Sequence, residues 1–357
     1  MFLALNQLSP QREPTRKRKV AIVLNGNARA VNERVVRDLR ELLRTPSDLY
    51  VSQSLDQGKF IARHIINRGC DVVLSGGGDG TFCQVVSDIT ALRPHRLPLF
   101  GVLRLGTGNA LATVLGASRS TRDGMASDLQ QAQRPSAESE INLLRVKGRL
   151  APFAGTGLDS LILSDYNATK RSLERTPFSW FTTGGPGYAL AVATRSLWRF
   201  TLEPLPHVII HNDGAPAQRV DLQGRPLGDS IARGGILYQG PVAIAAASTI
   251  PYYGLGLRLF PQADQRRDRF QLRVGNVSVM SVLSQLPALF AGTLQDSRIH
   301  DFLCTAVTIR ATLPTTFQIG GDEIGGQSSV SIGMTRMRVV TGAALPPRHH
   351  DASLDAA

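Results

Sequence analysis

Four glycines surround an acid and a hydroxyl at the end of an apolar run early in the chain. Residues 71–81 read Asp-Val-Val-Leu-Ser-Gly-Gly-Gly-Asp-Gly-Thr, and apolar residues at helical spacing follow them. Glycines let a turn adopt positive φ and let the backbone approach a ligand closely. A glycine turn that opens a helix points free N–H groups at one spot, which suits phosphate. We therefore predict a phosphate-binding turn between a buried strand ending at Leu74 or Ser75 and a helix starting near Asp79.

The acid inside this turn, Asp79, would repel a bare phosphate group. A cation such as Mg²⁺, which binds one or two carboxylates together with substrate phosphates, removes that repulsion. We therefore predict that Asp79 binds Mg²⁺ and takes part in catalysis, because a cation is its only evident use. A solvated turn without a ligand is the alternative. The sequence contains no Gly-x-x-x-x-Gly-Lys-[Ser/Thr] pattern, so this is not a Walker loop.

A second glycine turn follows a strand predicted at residues 97–103. It reads Arg-Leu-Gly-Thr-Gly-Asn over residues 104–109, and Asn109 can cap a helix that begins at Ala110. Both turns, and Asn25 after the first predicted strand, fall at the carboxyl ends of strands. In a parallel sheet those ends share one edge, where ligands bind. We therefore expect all three segments to form one site.

Strands and helices alternate through the first 138 residues. Apolar runs predict strands at 20–24, 48–54, 71–75 and 97–103, and helical periodicity predicts helices at 32–43 and 55–67. This alternation predicts a Rossmann-like parallel sheet covered by helices. The second helix is expected to turn four apolar residues inward: Phe60, Ile61, Ile65 and Ile66.

The second half has a different sequence pattern, with short apolar runs separated by glycine and proline from Ile141 to about Arg310. Many short strands with turns between them predict a β-sandwich. Helical stretches at 188–198 and 279–294 interrupt it. The strands are predicted at 143–146, 208–211, 242–247, 255–260, 270–274 and 307–311.

The composition indicates a globular chain, because 357 residues are enough for two self-supporting cores. The net charge of +12 predicts an anionic partner such as a nucleotide or a membrane surface. The basic run at residues 16–19 either contacts phospholipid head groups or is a solvated flank.

Signatures of nucleic-acid-binding modules are missing. Three cysteines without Cys-x-x-Cys spacing indicate neither disulfides nor zinc, and no secretory signal or apolar run of about 18 residues is present. We therefore expect a cytoplasmic protein.

Residues 77–81, Gly-Gly-Asp-Gly-Thr, resemble the signature of lipid kinases of the diacylglycerol and sphingosine kinase type. Residues 106–109 are similar to the Gly-Thr-Gly-Asn box of the same family. NAD kinases and 6-phosphofructokinases, which are more distant relatives, carry a motif like the first one. The first loop departs from the family, because Asn25 is followed by Gly-Asn-Ala where the common form is Asn-Pro-x-Ser-Gly. The resemblance covers roughly residues 18–340.

The resemblance implies ATP and Mg²⁺ as cofactors, a lipid as substrate and peripheral contact with an anionic membrane; a homo-oligomer is compatible with it. It divides the chain into a basic leader, a nucleotide-binding α/β domain, a β-sandwich that holds the lipid, a return segment toward the first domain and a tail. Their predicted bounds are 1–18, 19–138, 139–315, 316–343 and 344–357. The predicted nucleotide contacts are Asn25, Gly76, Gly77, Gly78, Gly80, Thr81, Gly106, Thr107, Gly108 and Asn109.

Two features of the second half also resemble the family. Residues 253–256, Tyr-Gly-Leu-Gly, are similar to its Tyr-Gly-Gly-Gly stretch. The acid that follows is associated with a structural Mg²⁺ in bacterial members, which implies a metal at Asp268 with carbonyls of Gln265 and Phe270; a solvated turn acid is the alternative. An aromatic cluster precedes a glycine turn and is either a lipid entrance or part of the core: Phe178, Trp180 and Phe181.

The family takes its catalytic base from an Asp-Gly-Glu triplet, which residues 317–323 resemble only in part. Aligned without a gap, its aspartate falls on Gly320 and its glutamate on Asp322. With a two-residue shift, Asp322 is the base. We expect Asp322 to lie beyond Gly320 on the same strand face, and to serve as proton acceptor or metal ligand.

Three functions follow from these observations. The first is an ATP-dependent kinase of a diacylglycerol-like or sphingoid-like lipid. The second is an NAD kinase, although an Asn-Asp pair is expected after the second glycine turn of such enzymes and Ala110 follows Asn109 here. The third is a nucleotide- or lipid-binding protein that has lost catalysis through the altered triplet.

Overall fold

The computed structural model describes residues 17–43, 45, 48–106, 108–157, 205–253 and 256–344. Its N-terminal part contains four parallel strands in the order β2-β1-β3-β4. They form because continuous apolar runs suit strands that are covered on both faces. The strands are β1 (Val20–Asn25), β2 (Leu49–Ser52), β3 (Val72–Gly77) and β4 (Leu99–Arg104).

Helices cover both faces of this sheet. One face packs against α1 and α5 through residues such as Leu39 and Leu129. The other packs against α2, α3 and α4 through residues such as Ile65, Phe82 and Leu111. The helices are α1 (Glu33–Leu42), α2 (Leu55–Asn67), α3 (Asp79–Ala91), α4 (Ala110–Val114) and α5 (Arg122–Ala132).

Local capping explains where the second helix begins. The hydroxyl of Ser54 accepts a hydrogen bond from the N–H of Gln57, which is the usual arrangement at an N-cap. Ile61 and Ile65 are buried as expected, but Phe60 is 68% exposed, so its predicted inward orientation is wrong. The reason is geometric, since Phe60 lies about 100° around the helix from its neighbour Ile61.

Antiparallel strands build the second part around one hydrophobic core. From β15 outward the order is β15-β14-β7-β11-β12-β13-β9, with β8 joining β14 to β10 and β5 joining β15 to β6. The strands are β5 (Glu138–Val146), β6 (Arg149–Ala151), β7 (Phe153–Gly157), β8 (His207–Asn212), β9 (Gln218–Val220), β10 (Ile236–Pro241), β11 (Ile244–Ser248), β12 (Phe270–Gly275), β13 (Ile299–Cys304), β14 (Ala306–Ile319) and β15 (Asp322–Val340).

This architecture confirms the predicted class, an α/β sheet with helices followed by a strand-rich part. The strand predicted at 255–260 is wrong, because the described residues 256–260 form turn and irregular structure. The helical stretch predicted at 279–294 consists of two short helices, α6 (Val279–Ser284) and α7 (Leu286–Ala291). The stretch predicted at 188–198 lies outside the described residues.

The last strand joins the two parts. β15 runs for 19 residues and pairs antiparallel with β14 and then with β5. Near its end Val339 pairs in parallel with Phe100 of β4. Through β15, the described parallel and antiparallel strands therefore form one continuous sheet. In the part of the chain that the structure describes, no helix is long and apolar enough to cross a membrane.

Candidate active site

The two glycine turns pack against each other, backbone on backbone. β3 does not end at Leu74 or Ser75 as expected, because Gly76 and Gly77 still pair with β4. A Cβ on Gly77 would lie 2.4 Å from the hydroxyl of Thr81, and one on Gly106 would lie 2.3 Å from Cα of Gly78. These positions therefore exclude side chains. Gly108 lies in the second turn, and Thr107 is outside the described residues.

Asp79 holds the second turn in place. Its Oδ1 accepts a hydrogen bond from the N–H of Leu111 at 2.9 Å, and its Oδ2 accepts one from Ala110 at 3.0 Å. Burial raises the pKa of this carboxyl, and the two backbone bonds oppose the rise. The expectation that a cation is the only use of Asp79 is therefore wrong, because the side chain caps α4.

Asn109 does not cap α4 with its side chain, contrary to the prediction. Its backbone is left-handed, with φ of 49°, and its side-chain amide bonds to both backbone groups of Gly106. The helix does begin at Ala110 as expected, but the capping oxygens come from the other glycine turn.

Asn25 connects the first strand to the first turn. Its Nδ2 donates to the hydroxyl of Thr81 at 3.2 Å, and its Oδ1 accepts from the N–H of Asn27 at 3.0 Å. The predicted grouping of Asn25 with the glycine turn is thus present in the fold. Asn25, Gly78, Gly80 and Thr81 all line one cleft of about 460 Å³. Gly76 lies beneath the cleft, with Leu24 and Leu105 against it.

Sequence reasoning missed much of the wall of this cleft. The end of β2, the loop after it and the start of α2 contribute residues 52–55, and α3 contributes Gln84 and Asp88. Oδ1 of Asp88 accepts from Nε2 of Gln84 at 2.8 Å, while its Oδ2 is buried without a hydrogen-bond partner among the described residues. Burial raises the pKa of Asp88. Helical spacing carried a signal for both, since residues 81, 84 and 88 share a face of α3.

Gly320 and Gly321 form the turn of a hairpin. β14 ends at Ile319 and β15 starts at Asp322, and these two residues pair across the turn. Both glycines have positive φ, of 60° and 90°, as a two-residue hairpin loop of type I′ requires. The expectation that residues 320 and 322 lie on the same face of one strand is therefore wrong.

The surroundings of Gly320 exclude the aspartate that the ungapped alignment places there. A Cβ on Gly320 would lie 2.7 Å from Sγ of the buried Cys83. Behind the turn, Oε1 of Gln318 accepts from the N–H of Gly321 at 2.9 Å, and its Nε2 donates to the hydroxyl of Tyr253. Gln318 thus supports the hairpin from the side of the second part.

Asp322 lies over the start of α3. Its Oδ1 is 3.4 Å from the place that a Cβ on Gly80 would take, and its side chain is 51% exposed. Its Oδ2 forms an ion pair with Nη2 of Arg149, in β6, at 2.5 Å. Glu323 pairs with Gln318 in the next position of the ladder and is absent from the cleft lining. The carboxylate of Asp322, which comes from the strand-rich part, therefore lies next to the first glycine turn.

Asp268 has different neighbours from those expected of a metal ligand. Its carboxylate accepts two hydrogen bonds from Arg266, at 2.9 and 3.0 Å, and Nε of Arg269 is 3.6 Å away. The bonds from Arg266 hold its pKa below the usual range. Gln265 is exposed and Phe270 pairs with β13. The described residues contain no cluster of three or more histidine, cysteine or acidic side chains placed to hold a metal. The contacts with Arg266 and Arg269 favour the alternative, a turn acid without a metal, and the cation at Asp268 stays a prediction.

Some residues of the sequence motifs have no structural account. The aromatic cluster of Phe178, Trp180 and Phe181 lies outside the described residues, as does the pair at 254–255. Tyr253 itself is described, and its ring packs between Phe153 and Phe260.

Comparisons with known proteins agree with the motifs. Residues 19–139 match the family model of the diacylglycerol kinase catalytic domain. A probable lipid kinase YegS-like from Cronobacter sakazakii is 24% identical over 315 residues, covering 86% of this chain and 90% of that protein. A probable lipid kinase YegS from Salmonella arizonae is 24% identical over 318 residues, with the same shares.

A solved structure shares the fold. A putative diacylglycerol kinase from Bacillus anthracis superposes with a TM-score of 0.64 at 14% identity, covering 92% of this chain and 99% of that one. The match spans both parts of the chain. The first part of the chain is therefore similar to the diacylglycerol kinase catalytic domain, and the whole chain is similar in sequence to lipid kinases and in fold to a diacylglycerol kinase.

Proposed function

We propose that the protein is an ATP-dependent lipid kinase that transfers the γ-phosphoryl group to the hydroxyl of a diacylglycerol-like or sphingoid-like lipid. One observation carries this proposal. The carboxylate of Asp322, which comes from the strand-rich part, lies against Gly80 at the start of α3. A place for phosphate and a group that can accept a proton therefore meet in one cleft.

The cleft suits a nucleotide in size and polarity. Its volume of about 460 Å³ falls within the range of about 300 to 1,000 Å³ that small-molecule sites occupy. The N-terminus of α3 opens into it, and Gly78 at the N-cap has no side chain to bond the first N–H groups. These groups and the helix dipole favour the phosphates of ATP there, with the hydroxyl of Thr81 beside them.

Phosphoryl transfer in this site requires few groups. The lipid oxygen attacks the γ-phosphorus, the bond to the oxygen between the β- and γ-phosphorus breaks, and ADP leaves. Asp322 accepts the proton that the hydroxyl loses, which gives the lipid phosphate. The side chain of Asp322 is half exposed, so an acceptor can approach it.

The described residues fit a Mg²⁺ held mainly by the nucleotide. Magnesium in such sites is bound by one or two carboxylates together with phosphates and water. The exposed carboxylate of Asp322 can supply that contact, whereas both oxygens of Asp79 already accept backbone hydrogen bonds. When bound, the cation would neutralise charge on the phosphates.

A second candidate is a nucleotide- and lipid-binding protein without turnover. Two observations favour it: Gly320 stands where the ungapped alignment places the family's aspartate, and Asp322 is already paired with Arg149. The NAD kinase alternative has no such support, because the relatives that match most of this chain are described as lipid kinases.

The test is incubation of the purified chain with γ-labelled ATP, Mg²⁺ and vesicles of mixed lipids, followed by chromatography of the lipids. If the unaltered chain forms labelled lipid and the Asp322→Ala variant does not, the proposal is supported, and the labelled product identifies the acceptor. A parallel reaction with NAD tests the NAD kinase alternative. ATP binding without labelled product in either reaction would favour the binding protein.

A further inference from the structure

Arg149 is the basic residue that contacts the candidate base. It is the first residue of β6, which follows a turn at Lys147 and Gly148. The next residue, Leu150, donates its N–H to the hydroxyl of Ser87 in α3 at 2.9 Å. The strand is thus attached to the helix whose N-terminus forms the phosphate site. The guanidinium is held close to α3, and its side chain is only 25% exposed.

The cleft needs a positive charge that its walls do not supply. Its lining within the described residues includes two carboxylates, Asp88 and Asp322, and no lysine or arginine. A nucleoside triphosphate adds several negative charges. Mg²⁺ held by the nucleotide would offset part of this repulsion. An arginine near the terminal phosphate would offset more of it, and is well suited to that contact because it donates two parallel hydrogen bonds.

The carboxylate of Asp322 lies between Arg149 and the start of α3. One of its oxygens contacts Arg149 and the other lies against Gly80. Only this carboxylate group therefore separates a phosphate bound at the start of α3 from the guanidinium. A phosphate also has several oxygens, so it can contact the helix N-terminus and Arg149 at the same time.

We infer that Arg149 binds the terminal phosphate of a nucleoside triphosphate, and that the carboxylate of Asp322 pairs with Arg149 while the cleft is empty. The inference rests on the proposed function and deepens it. It explains how a carboxylate that begins in an ion pair becomes available as a proton acceptor, since the incoming phosphate takes over the guanidinium. It also gives the site a means of distinguishing ATP from ADP.

The test is calorimetric binding of ATP and of ADP, each with Mg²⁺, to the full chain and its variants. Arg149→Met should weaken ATP binding about 10- to 100-fold, the value of one charged hydrogen-bonding contact, and change ADP binding less than about threefold. Arg149→Lys keeps the charge and should recover part of the loss. Arg145→Met removes an exposed arginine from the adjoining strand β5 and should bind both nucleotides like the unaltered protein.

Asp322→Asn provides an independent measurement. Measured without Mg²⁺, so that the proposed contact of Asp322 with the cation plays no part, removal of the competing carboxylate should strengthen ATP binding several-fold. The gain should vanish when Arg149→Met is added. Circular dichroism and thermal unfolding verify that each variant is folded.

The outcomes separate the two proposals. ATP binding that Arg149→Met leaves unchanged, or an equal loss for ADP, contradicts the inference alone. A wild-type chain that binds neither nucleotide contradicts the proposed function, and the inference with it.

Discussion

The carboxylate of Asp79 accepts a hydrogen bond from the backbone N–H of Leu111, 32 positions later in the chain, at 2.9 Å. Its second oxygen accepts from Ala110. Asp79, in the first glycine turn, therefore caps α4, the helix that follows the second glycine turn. The two turns are fixed relative to each other by this side chain as well as by the backbone contact between Gly78 and Gly106.

Asp79→Asn should destabilise the protein by about 1 to 2 kcal/mol, the usual range for loss of a helix cap. The amide keeps one acceptor oxygen, but its NH₂ group faces a backbone N–H and the negative charge at the helix N-terminus is lost. Urea unfolding measures this change. Turnover distinguishes a structural role from a catalytic one: retention of more than about a tenth of the activity, far above the 10²- to 10³-fold loss expected for a charge that stabilises the transition state, would make Asp79 a cap only.

Gly320→Ala should cost more stability than Gly321→Ala. Both residues have positive φ, which costs an alanine about 1 to 2 kcal/mol. Only the Cβ at position 320 meets Sγ of Cys83, at 2.7 Å, whereas nothing lies within 4 Å of the one at 321. Overpacking adds about 1 to 3 kcal/mol.

The difference between these two free energies of unfolding therefore isolates the steric contact. Gly320→Asp should likewise destabilise the hairpin and bring no gain in turnover. A stable Gly320→Asp variant with higher activity would show that the family's aspartate belongs at this position after all.

Asp322→Ala should lower lipid phosphorylation at least about 10²-fold, the lower end of the effect of general acid–base catalysis. Glu323→Ala is the matched control, because Glu323 is adjacent and exposed but absent from the cleft lining. It should change turnover little. Equal rates for the two variants and the unaltered enzyme would exclude Asp322 as the base.

Asp268→Asn should leave the effect of Mg²⁺ on thermal stability unchanged, because Arg266 and Arg269 already neutralise this carboxylate. The control is Asp264→Asn, which alters an exposed acid of the preceding turn. Melting temperatures with Mg²⁺ and with a chelator provide the measurement. A stabilisation by Mg²⁺ that disappears only in Asp268→Asn would restore the structural metal site that the family resemblance implies.

Vesicles of anionic lipid should bind the protein with an affinity that falls as the salt concentration rises. The net charge of +12 is the reason, since each lysine or arginine near an anionic surface contributes about 1 kcal/mol and is screened by salt. Sedimentation with vesicles over a range of salt tests this, with neutral vesicles as the control. Binding that does not depend on salt would point to apolar insertion instead.

Local signals in the sequence were sufficient for much of the fold. The apolar spacing alone placed α2 at 55–67, where the structure has it. The run of apolar residues into glycine located the carboxyl end of β4 to within one residue, whereas β3 continues past its predicted end to Gly77. These features depend on residues within a few positions of each other, which is why one sequence reveals them.

Features that depend on distant residues could not be predicted in this way. The partner of Asp79 is more than 30 residues away, and Arg149 reaches Asp322 across 173 positions without belonging to any motif. The hairpin at residues 320–321 is different, because its Gly-Gly pair was a usable turn signal. The family alignment favoured a continuous strand and obscured it.

The position of β15, between the parallel and the antiparallel strands of the sheet, limits how the chain can be divided. The matched catalytic domain ends at residue 139, but the neighbour of β4 is the end of β15, about 200 residues later. A fragment cut at that boundary would expose the open edge of β4, and exposed edges promote aggregation. Excision of the strand-rich part alone would take this neighbour away as well. For expression and for exchange of segments between relatives, the smallest transferable unit is therefore the parallel and antiparallel parts together.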